Sequence, residues 1–315
     1  RNGGYYPQSE QATAIRDVLL MELKKQNVGV VCGCGIRGIE KTAKGFTFHT
    51  KGGDFYATKC IMATGGKTLK KSGSDGSGFL YLESLGHHII DLVPGLIGLK
   101  GKQSFFADIA GIRADVKVDL YIESTHACSE RGELQLTNYG ISGIPVFQLS
   151  RVATRALSEQ KKVYATLNFV PFWEKEQCLT YFKERFKKAD EKHIGEALIG
   201  FFPEKLIPVL LEESHIKAAK YANRLQTEEL ERFIDTVQGL RVDITDWNTF
   251  DTAQVTAGGV DTDEIDAETM ESKLCPGLYF AGEMVDIDGI CGGYNLQWAW
   301  SSGAVAGIHV ARELS

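Results

Sequence analysis

The sequence has neither an excess of basic residues nor a long hydrophobic run. Its 35 Lys and Arg against 41 Asp and Glu give a formal net charge of −6, and the pI is near 5.7. No basic stripe is available to release counterions from nucleic acid or from an anionic membrane, so we expect neither partner. No segment reaches the roughly 18 apolar residues of a membrane span, and no secretory segment precedes a cleavage site. These absences predict a soluble globular protein.

Paired cysteines of the kind that bind zinc are also missing. Cys32 and Cys34 are one residue apart, and alternation along a strand would point them to the same face, but no second pair completes a zinc site. We therefore predict no metal. An odd, scattered set of cysteines is typical of a reducing compartment and predicts a cytoplasmic protein. The seven residues are Cys32, Cys34, Cys60, Cys128, Cys178, Cys275 and Cys291.

Repeats, low-complexity tracts and Gly/Ser linkers are absent from the 315 residues. With 43% hydrophobic residues, the chain can bury the cores of two or three domains.

The clearest functional signal lies in residues 276–307. Residues 277–282 (Gly-Leu-Tyr-Phe-Ala-Gly) form an apolar run that is typical of a buried parallel strand. Gly282 permits a close backbone approach, and the carboxylate of Glu283 can accept hydrogen bonds from ligand hydroxyls.

Residues 289–295 (Gly-Ile-Cys-Gly-Gly-Tyr-Asn) are rich in glycine, so few side chains cover the backbone where a helix is predicted to begin. Free N–H groups and the positive end of the helix dipole would face an electron-rich ring edge or a phosphate there. Cys291 in this turn is either a redox group or a small space-filling residue. The small residues that follow leave one helix face almost bare: Ser302, Gly303, Ala304, Ala306 and Gly307. The alternative is an ordinary strand-turn-helix that is packed tightly for stability.

A second apolar strand, residues 59–66, ends in Ala63, Thr64, Gly65 and Gly66. Taken together, these motifs resemble those of the HI0933-like flavoproteins, a family of NAD(P)/FAD-dependent oxidoreductases that includes enzymes described as aminoacetone oxidases and bile-acid dehydro-reductases. The resemblance covers the whole chain. Its landmarks, in order, are residues 4–12, 63–66, 132–143, 253–260 and 276–307. The closing segment is also similar to the larger fumarate-reductase-like group.

The resemblance implies an α/β fold, with a partial Rossmann-like FAD-binding domain and an inserted β-rich plus helical domain. Residues 1–95 and 251–315 would form the FAD-binding domain. Residues 96–250 would form the insert, with antiparallel strands over 96–173 and helices over 174–240. In the family, this insert covers the flavin and shapes the substrate cleft. The family's opening G-x-G-x-x-G unit has no match here and the first residue is not Met, so we expect a fragment that binds FAD weakly or not at all.

The resemblance also implies which residues hold FAD. Those that match the family's motifs are Ala63, Thr64, Gly65, Gly66, Gly258, Gly259, Gly282, Glu283, Asp286, Gly292, Gly293, Tyr294 and Asn295.

The implied activity is reduction of an activated, enone-like small organic substrate. NAD(P)H would reduce the flavin, and hydride would pass from flavin N5 to the substrate. Two alternatives stay open: a flavin oxidase of a small amine such as aminoacetone, and a truncated flavoprotein fragment without catalysis.

Candidates for the proton donor are Tyr139, Tyr294, and His87 or His88 after a predicted helix. Cys291 is a further catalytic candidate, with a redox role. A structural or hydrogen-bonding role is the alternative for both tyrosines, and we expect both histidines to face solvent. Many family members have Thr-His-x-Gly-x-Ser-Gly-Pro where residues 137–145 are Thr-Asn-Tyr-Gly-Ile-Ser-Gly-Ile-Pro. Asn138 stands where those members have histidine. An amide cannot shuttle a proton, so an acid–base role of that histidine is not expected at position 138.

Residues 33–38 (Gly-Cys-Gly-Ile-Arg-Gly) match G-x-G-x-x-G, but strand-like alternation follows over 45–50 instead of a helix, so we do not interpret them as a dinucleotide turn. Lys67, Lys70 and Lys71 could meet a phosphate, but a solvated loop is the preferred explanation.

Periodicity predicts the remaining elements. Helices are expected over 11–26 after a cap at Ser9, over 75–86 with a stop at Gly86, and after a cap at Thr227, where Leu230, Phe233, Ile234 and Val237 form an apolar stripe. Strands are expected over 28–31, 45–50 and 60–64. Strands with strictly alternating apolar and polar residues, and thus one solvent-exposed face, are expected over 112–120, 134–136 and 163–169.

Overall fold

A computed structural model describes residues 3–315. The helices of at least four residues are α1 (Ala12–Lys25), α2 (Ser77–Ser84), α3 (Phe106–Ile109), α4 (Ile144–Ser158), α5 (Lys175–Lys187), α6 (Ile194–Leu198), α7 (Leu206–Glu213), α8 (Thr227–Gly239) and α9 (Tyr294–Leu314). The strands are β1 (Ile36–Thr42), β2 (Gly45–Thr50), β3 (Gly53–Ala57), β4 (Cys60–Met62), β5 (Ile89–Gly95), β6 (Leu99–Gly101), β7 (Arg113–Ile122), β8 (Thr125–Thr137), β9 (Gly140–Gly143), β10 (Val163–Asn168), β11 (Leu240–Trp247), β12 (Val255–Val260) and β13 (Leu278–Phe280).

The chain forms two compact units. The first contains the described residues up to Gly65 together with Gly76–Ile90 and Gly259–Ser315, and the second contains Gly66–Asp75 and Asp91–Gly258. The predicted α/β class, with antiparallel strands and helices in the middle of the sequence, is confirmed. The assignment of the units to a FAD-binding domain and a cap domain stays a prediction.

In the first unit, β4 and β13 are parallel neighbours, with Cys60 opposite Leu278 and Met62 opposite Phe280. Both strands are short and apolar, and every residue of β13 is buried. A buried strand of this kind forms where both sheet faces are covered. The predicted parallel strand before Gly282 is therefore confirmed.

The strands β1, β2 and β3 form an antiparallel sheet in that order. β2 has the predicted bounds. Residues 33–38 form a turn that enters β1 at Ile36, with no helix. This confirms that they do not form a dinucleotide-binding turn.

The segment between α1 and β1 corrects one prediction. Residues 28–31 are not a strand, although Val28, Val30 and Val31 have strand propensity. All three side chains are exposed, and none of the strands in the described chain pairs with this segment. A strand needs a hydrogen-bonded neighbour, so propensity alone does not form one.

The helix ends correct the predicted caps. α1 is present, but Gln11 rather than Ser9 is its N-cap residue. At α8 the N-cap is Gln226 rather than Thr227, because Gln226 and Glu229 form a reciprocal capping box. The predicted stop of α2 at Gly86 is confirmed: Gly86 has φ of +93°, and the N–H of His87 donates to the carbonyl of Leu82 at 3.0 Å.

The second unit contains a closed six-stranded barrel in the order β10-β11-β6-β9-β8-β7. The predicted alternation is confirmed, because Val116, Val118 and Leu120 of β7 are buried while their neighbours are more exposed. Closure pairs every strand on both sides, so the barrel has no free edge. α4 packs its buried face, including Leu149 and Ala153, into the same core.

The helices α5 to α8 follow β10 and share the core of the barrel. The predicted stripe on α8 is confirmed, because all four of its apolar residues are buried. Within residues 3–315, no helix has the length and apolar character needed to cross a membrane.

His49 in the β1–β3 sheet predicts a pH dependence of local stability. Its Nδ1 lies 3.0 Å from Asp54 Oδ1, and its Nε2 lies 3.4 Å from Glu40 Oε1. The hydrogen bond to Asp54, aided by the charges of Asp54 and Glu40, raises the pKa of His49 above its ordinary 6.5. The stabilisation is therefore fully present below the unfolded-state pKa and is lost as pH rises through the folded-state pKa. Hydrogen exchange of the sheet amides should accelerate beyond its normal pH trend in that window.

His49→Gln is the control for this pH effect, since its side chain does not titrate. Equal pH trends in the variant and the parent chain would contradict the role of His49.

Candidate cofactor site

The predicted site begins at the ends of two neighbouring strands. Residues 63–65 follow β4, and Ala281 follows β13 with its N–H donating to Met62 O at 3.0 Å. The hydroxyl of Thr64 donates to Met284 Sδ at 2.8 Å. Because the carboxyl ends of parallel strands meet at one edge of a sheet, Thr64 lies beside the turn of residues 282–284.

Gly259 packs against the backbone that follows Glu283. Val260 bridges Val285 in parallel, and the N–H of Asp286 donates to Val260 O at 3.0 Å. A Cβ on Gly259 would lie 2.6 Å from Met284 O, and Gly259 has φ of +145°. Only glycine fits this position, so the structure brings Gly259 and Asp286 together.

The helix α9 is fixed to Gly282 at two points. The N–H of Gly282 donates to Ser302 Oγ at 2.8 Å, and Trp298 Nε1 donates to Gly282 O at 2.9 Å. Ser302 and Ala306 are buried, whereas a Cβ on Gly303 or Gly307 would meet no atom of the described residues within 4 Å. The small-residue face of α9 is thus partly packed and partly open.

The side chain of Asn295 closes the glycine turn. Its Oδ1 accepts the Gly289 N–H at 2.8 Å, and its Nδ2 donates to Gly289 O at 2.9 Å. Gly293 is the N-cap of α9, with φ of +94°, and Gly292 has φ of +130°. Asn295 therefore shapes the turn with both of its amide atoms.

The amino end of α9 fits an anionic or electron-rich ligand. Tyr294 is 58% exposed and Leu296 is 69% exposed, so the first helical turn is accessible. The first N–H groups of a helix have no intrahelical acceptor, and they add to the positive end of its dipole. The glycines before them leave this backbone uncovered.

Two predicted residues fall in the second unit. Gly66 is the first residue of the second unit, and Gly258 is its last residue, so each lies where the chain passes from one unit to the other. Beside them, the N–H of Lys67 donates to Thr256 Oγ1 at 2.7 Å.

The catalytic candidates Tyr139, Tyr294 and Cys291 differ in their surroundings. Tyr294 is exposed at the amino end of α9, and Cys291 is partly exposed in the glycine turn. Tyr139 is partly exposed in the β8–β9 hairpin of the second unit. No residue in the described range bonds either tyrosine hydroxyl, so the structure does not give them the hydrogen-bonding role considered above.

The prediction that His87 faces solvent is wrong. Its side chain is fully buried, with Nδ1 2.7 Å from Glu264 Oε2 and Nε2 3.0 Å from Ser272 Oγ. Its ring meets Phe280 edge-on at 5.1 Å. Burial with both nitrogens bonded makes His87 part of the core, and no local sequence signal marks Glu264 or Ser272 as its partners.

His88 is exposed as predicted, with Nδ1 3.3 Å from Asp261 Oδ2. Within residues 3–315, no three His, Cys, Asp or Glu side chains are grouped as metal ligands would be. Cys32 and Cys34 lie in the turn before β1 rather than on a strand. Burial raises the pKa of the Cys60 thiol to about 12, which makes that thiol a poor nucleophile.

Comparison with known proteins identifies relatives along nearly the whole chain. A family model described as "HI0933-like protein Rossmann domain" matches residues 1–309. The 3-dehydro-bile acid delta(4,6)-reductase of Clostridium scindens is 44% identical over 306 residues, which cover 97% of this chain and 75% of that protein.

Two more distant relatives have a different substrate in their names. The ribosomal RNA dihydrouridine synthase of Escherichia coli is 29% identical over 293 residues, or 93% of this chain and 70% of that protein. The Haemophilus influenzae enzyme of the same name is 26% identical over 312 residues, or 96% of this chain and 74% of that protein.

Proposed function

The chain belongs to the HI0933-like family, as its motifs predicted, and we propose that it is a FAD-dependent oxidoreductase that uses NAD(P)H to reduce an activated, enone-like carbon–carbon double bond in a small organic molecule. The observation that carries this proposal is the glycine turn at the amino end of α9, a helix that also bonds Gly282 through Trp298 and Ser302.

The residues of the first unit fit the flavin part of FAD. Thr64 is exposed, whereas Gly259 and Gly282 are buried and hold the turn that carries Glu283 and Asp286. The carboxylates of Glu283 and Asp286 would accept hydrogen bonds from sugar hydroxyls. Gly292 and Gly293 expose the first turn of α9, whose dipole favours negative charge. Bound FAD would supply hydride transfer between NAD(P)H and the substrate.

The names of the relatives support the substrate class. A 3-dehydro bile acid with double bonds at positions 4 and 6 is a conjugated ketone, and a dihydrouridine synthase saturates a ring double bond that is conjugated with a carbonyl. Hydride adds to such a double bond because the carbonyl stabilises the negative charge that develops next to it. A conjugated carbonyl is therefore the substrate feature shared by these relatives, and we extend it to this chain.

The same proposal includes a small substrate and a cytoplasmic location of the protein. The Clostridium scindens relative, whose name gives a small molecule, is more similar to the chain than the two relatives with an RNA substrate. The net charge of −6 also favours a small molecule over RNA. The odd number of seven scattered cysteines is in keeping with a reducing cytoplasm.

The proposed function is tested by the visible spectrum of the purified chain after incubation with FAD and desalting. Flavin absorption bands that remain would support binding, and their anaerobic bleaching by NADH or NADPH would support the reductase. Reoxidation by a steroid enone but not by its saturated ketone completes the test. Hydrogen peroxide release with aminoacetone and oxygen would instead favour the oxidase, and a chain that binds no flavin even at saturating FAD would contradict the proposal.

Glu283→Gln is expected to weaken FAD binding about ten- to hundredfold, because a hydrogen bond to a charged acceptor contributes about 1.5–3 kcal/mol. The variant keeps the size of the side chain and removes its charge. The dissociation constant is measured by flavin fluorescence quenching. Glu268→Gln, a matched change at an exposed carboxylate, should leave it unchanged. Equal dissociation constants for Glu283→Gln and the parent chain would remove Glu283 from the site.

A further inference from the structure

A cavity of about 510 Å³ lies beside the turn that precedes β1, and all of its lining residues belong to the first unit. That volume is within the range of about 300–1,000 Å³ that is usual for small-molecule pockets. Its walls include the exposed apolar side chains of Val31, Ile36 and Phe55. An apolar wall of this kind can accept the organic part of a ligand.

Two cations give the cavity a positive charge. Arg37 and Lys51 line it, and no Asp or Glu of the described residues does so. Neither cation forms an ion pair with a carboxylate in the part of the chain that the structure describes. The carboxylates of Glu40 on β1 and Asp54 on β3 both lie against His49 instead. The uncompensated charge of the cavity therefore attracts an anion.

The backbone that carries Arg37 is anchored. Arg37 lies at a bulge, because the register between β1 and β2 shifts between Ile36 and Gly38. Such a bulge redirects the side chain of the extra residue. The hydroxyl of Tyr81 on α2 donates to Ile36 O at 2.6 Å, which ties this end of β1 to the helix.

The turn that carries Lys51 is also fixed, by the hydroxyl of Thr50. Thr50 Oγ1 accepts the N–H of Gly52 at 3.1 Å and donates to Gly53 O at 2.6 Å. Lys51 lies inside this closed turn between β2 and β3. The two cations therefore stand on rigid ends of the same sheet.

Two thiols meet at this cavity. Cys34 lines it, and Cys32 is exposed two residues earlier. Gly33 between them has φ of +66°, so the chain turns there. The Cα atoms on either side of such a residue are about 5–6 Å apart, a distance that a disulfide spans. The two thiols can thus reach each other across the turn.

Burial makes four of the other five cysteines poor nucleophiles. It raises the pKa of the thiols of Cys60, Cys128, Cys178 and Cys275, and only the thiolate attacks a disulfide. Cys291 is partly exposed and provides an internal reference.

Charge argues against a metal ion as the ligand. Two thiolates can hold a soft cation such as Cu(I), but Arg37 and Lys51 would repel it. No third His, Cys, Asp or Glu within residues 3–315 joins the two cysteines as a ligand.

We propose that this cavity binds a small anionic disulfide and that Cys34 and Cys32 exchange with it. The Cys34 thiolate, whose proton has gone to solvent, attacks one sulfur of the ligand; the S–S bond of the ligand breaks, and one thiolate leaves and takes up a proton. Cys32 then attacks Cys34 Sγ in the same way and releases the second thiol. Two protein thiols are oxidised to a Cys32–Cys34 disulfide, and the ligand disulfide is reduced to two thiols. This exchange involves neither the flavin nor the second unit.

Glutathione disulfide, which carries a net negative charge, is the probe, and mass spectrometry of peptides from the purified full chain is the readout. The parent chain should form a Cys32–Cys34 disulfide. Cys32→Ser should stop at a mixed disulfide on Cys34, and Cys34→Ser should lose the fast reaction. Modification of Cys291 ahead of Cys34 would overturn the proposal.

Arg37→Gln and Lys51→Gln test the role of charge. A cleft lined by one sign of charge raises the local concentration of a counter-ion about 10–10³-fold, so loss of one of the two cations should slow the reaction of Cys34 by about 3–30-fold. The neutral 2-hydroxyethyl disulfide should react at the same rate with the variants and the parent chain. The thermal midpoint checks that each variant is folded.

Lys44→Gln is the matched control. Lys44 is exposed at the other end of the β1–β2 hairpin, on the order of 20 Å from Lys51 along the strand. Charges that far apart are screened, since the Debye length is about 10 Å at 0.1 M ionic strength. This variant should react with glutathione disulfide as fast as the parent chain.

Two results would overturn the binding role of the cations. One is an unchanged rate of the Arg37 and Lys51 variants with glutathione disulfide. The other is an equal slowing with glutathione disulfide and with the neutral disulfide, because the changes would then act on the thiol rather than on the ligand.

Discussion

Gly259→Ala is expected to destabilise the candidate cofactor site by on the order of 3 kcal/mol. The new Cβ would lie 2.6 Å from Met284 O, 2.9 Å from Val285 C and 3.0 Å from Asp286 N, all of them backbone atoms that cannot rotate away. Gly259 also has φ of +145°, a conformation that L side chains rarely adopt. The segment after Glu283 must therefore shift, and FAD binding should fall with it.

Hydrogen exchange measured by mass spectrometry on peptides from 278–288 reports this local loss, and flavin fluorescence reports the loss of binding. Gly303→Ala is the matched control in the same unit. Its Cβ would meet no atom of the described residues within 4 Å, and alanine is favoured over glycine inside a helix by about 1 kcal/mol. The control should be as stable as the parent chain or slightly more so. Unchanged protection of 278–288 in Gly259→Ala would contradict the steric argument.

Phe182→Ala is expected to cost about 3–5 kcal/mol, the usual range for a large aromatic side chain removed from a core. Phe182 is fully buried, and its ring lies 4.9 Å from that of Phe201, 5.4 Å from that of Phe233 and 6.1 Å from that of Phe202. Removing the central ring leaves a cavity that three fixed neighbours cannot fill.

Chemical denaturation of the second unit measures this cost, with the tryptophan fluorescence of Trp173 as the signal. Phe172→Ala is the control, because Phe172 is 57% exposed and meets only the ring edge of Trp173 at 5.4 Å. It should cost less than 1 kcal/mol, as is usual for a surface side chain. A cost for Phe182→Ala close to that of the control would mean that the ring cluster does not hold the helices together.

Elements with a strong internal period were predicted well. The stripe on α8 and the alternation on β7 each place apolar side chains on one face, and that pattern alone decides which face is buried. The glycine turn before α9 was equally clear, because glycines at 292 and 293 supply the backbone conformations that the turn needs. The family and the fold class followed from these motifs in their order along the chain.

Features that depend on a distant partner were missed. Residues 28–31 have the composition of a strand but lack a pairing neighbour among the strands of residues 3–315. His87 looked like a solvent-facing residue after a helix, yet Glu264 and Ser272, 177 and 185 residues away, bond both of its nitrogens. The amide of Asn295 closes the turn at Gly289, a contact that the sequence did not predict, and its predicted contact with the cofactor stays a prediction.

The sequence by itself determined the family, the α/β class, the short parallel strand before Gly282 and the glycine turn, because each of these depends on residue types at fixed local spacing. Only the tertiary structure decided that Gly259 abuts residues 284–286, that His87 is buried, and that Gly98 leaves room for the hydroxyl of Tyr139. These contacts join residues that are between 25 and 185 positions apart in the sequence. Local propensity carries no information about such distances, which are fixed only when strands pair and cores close.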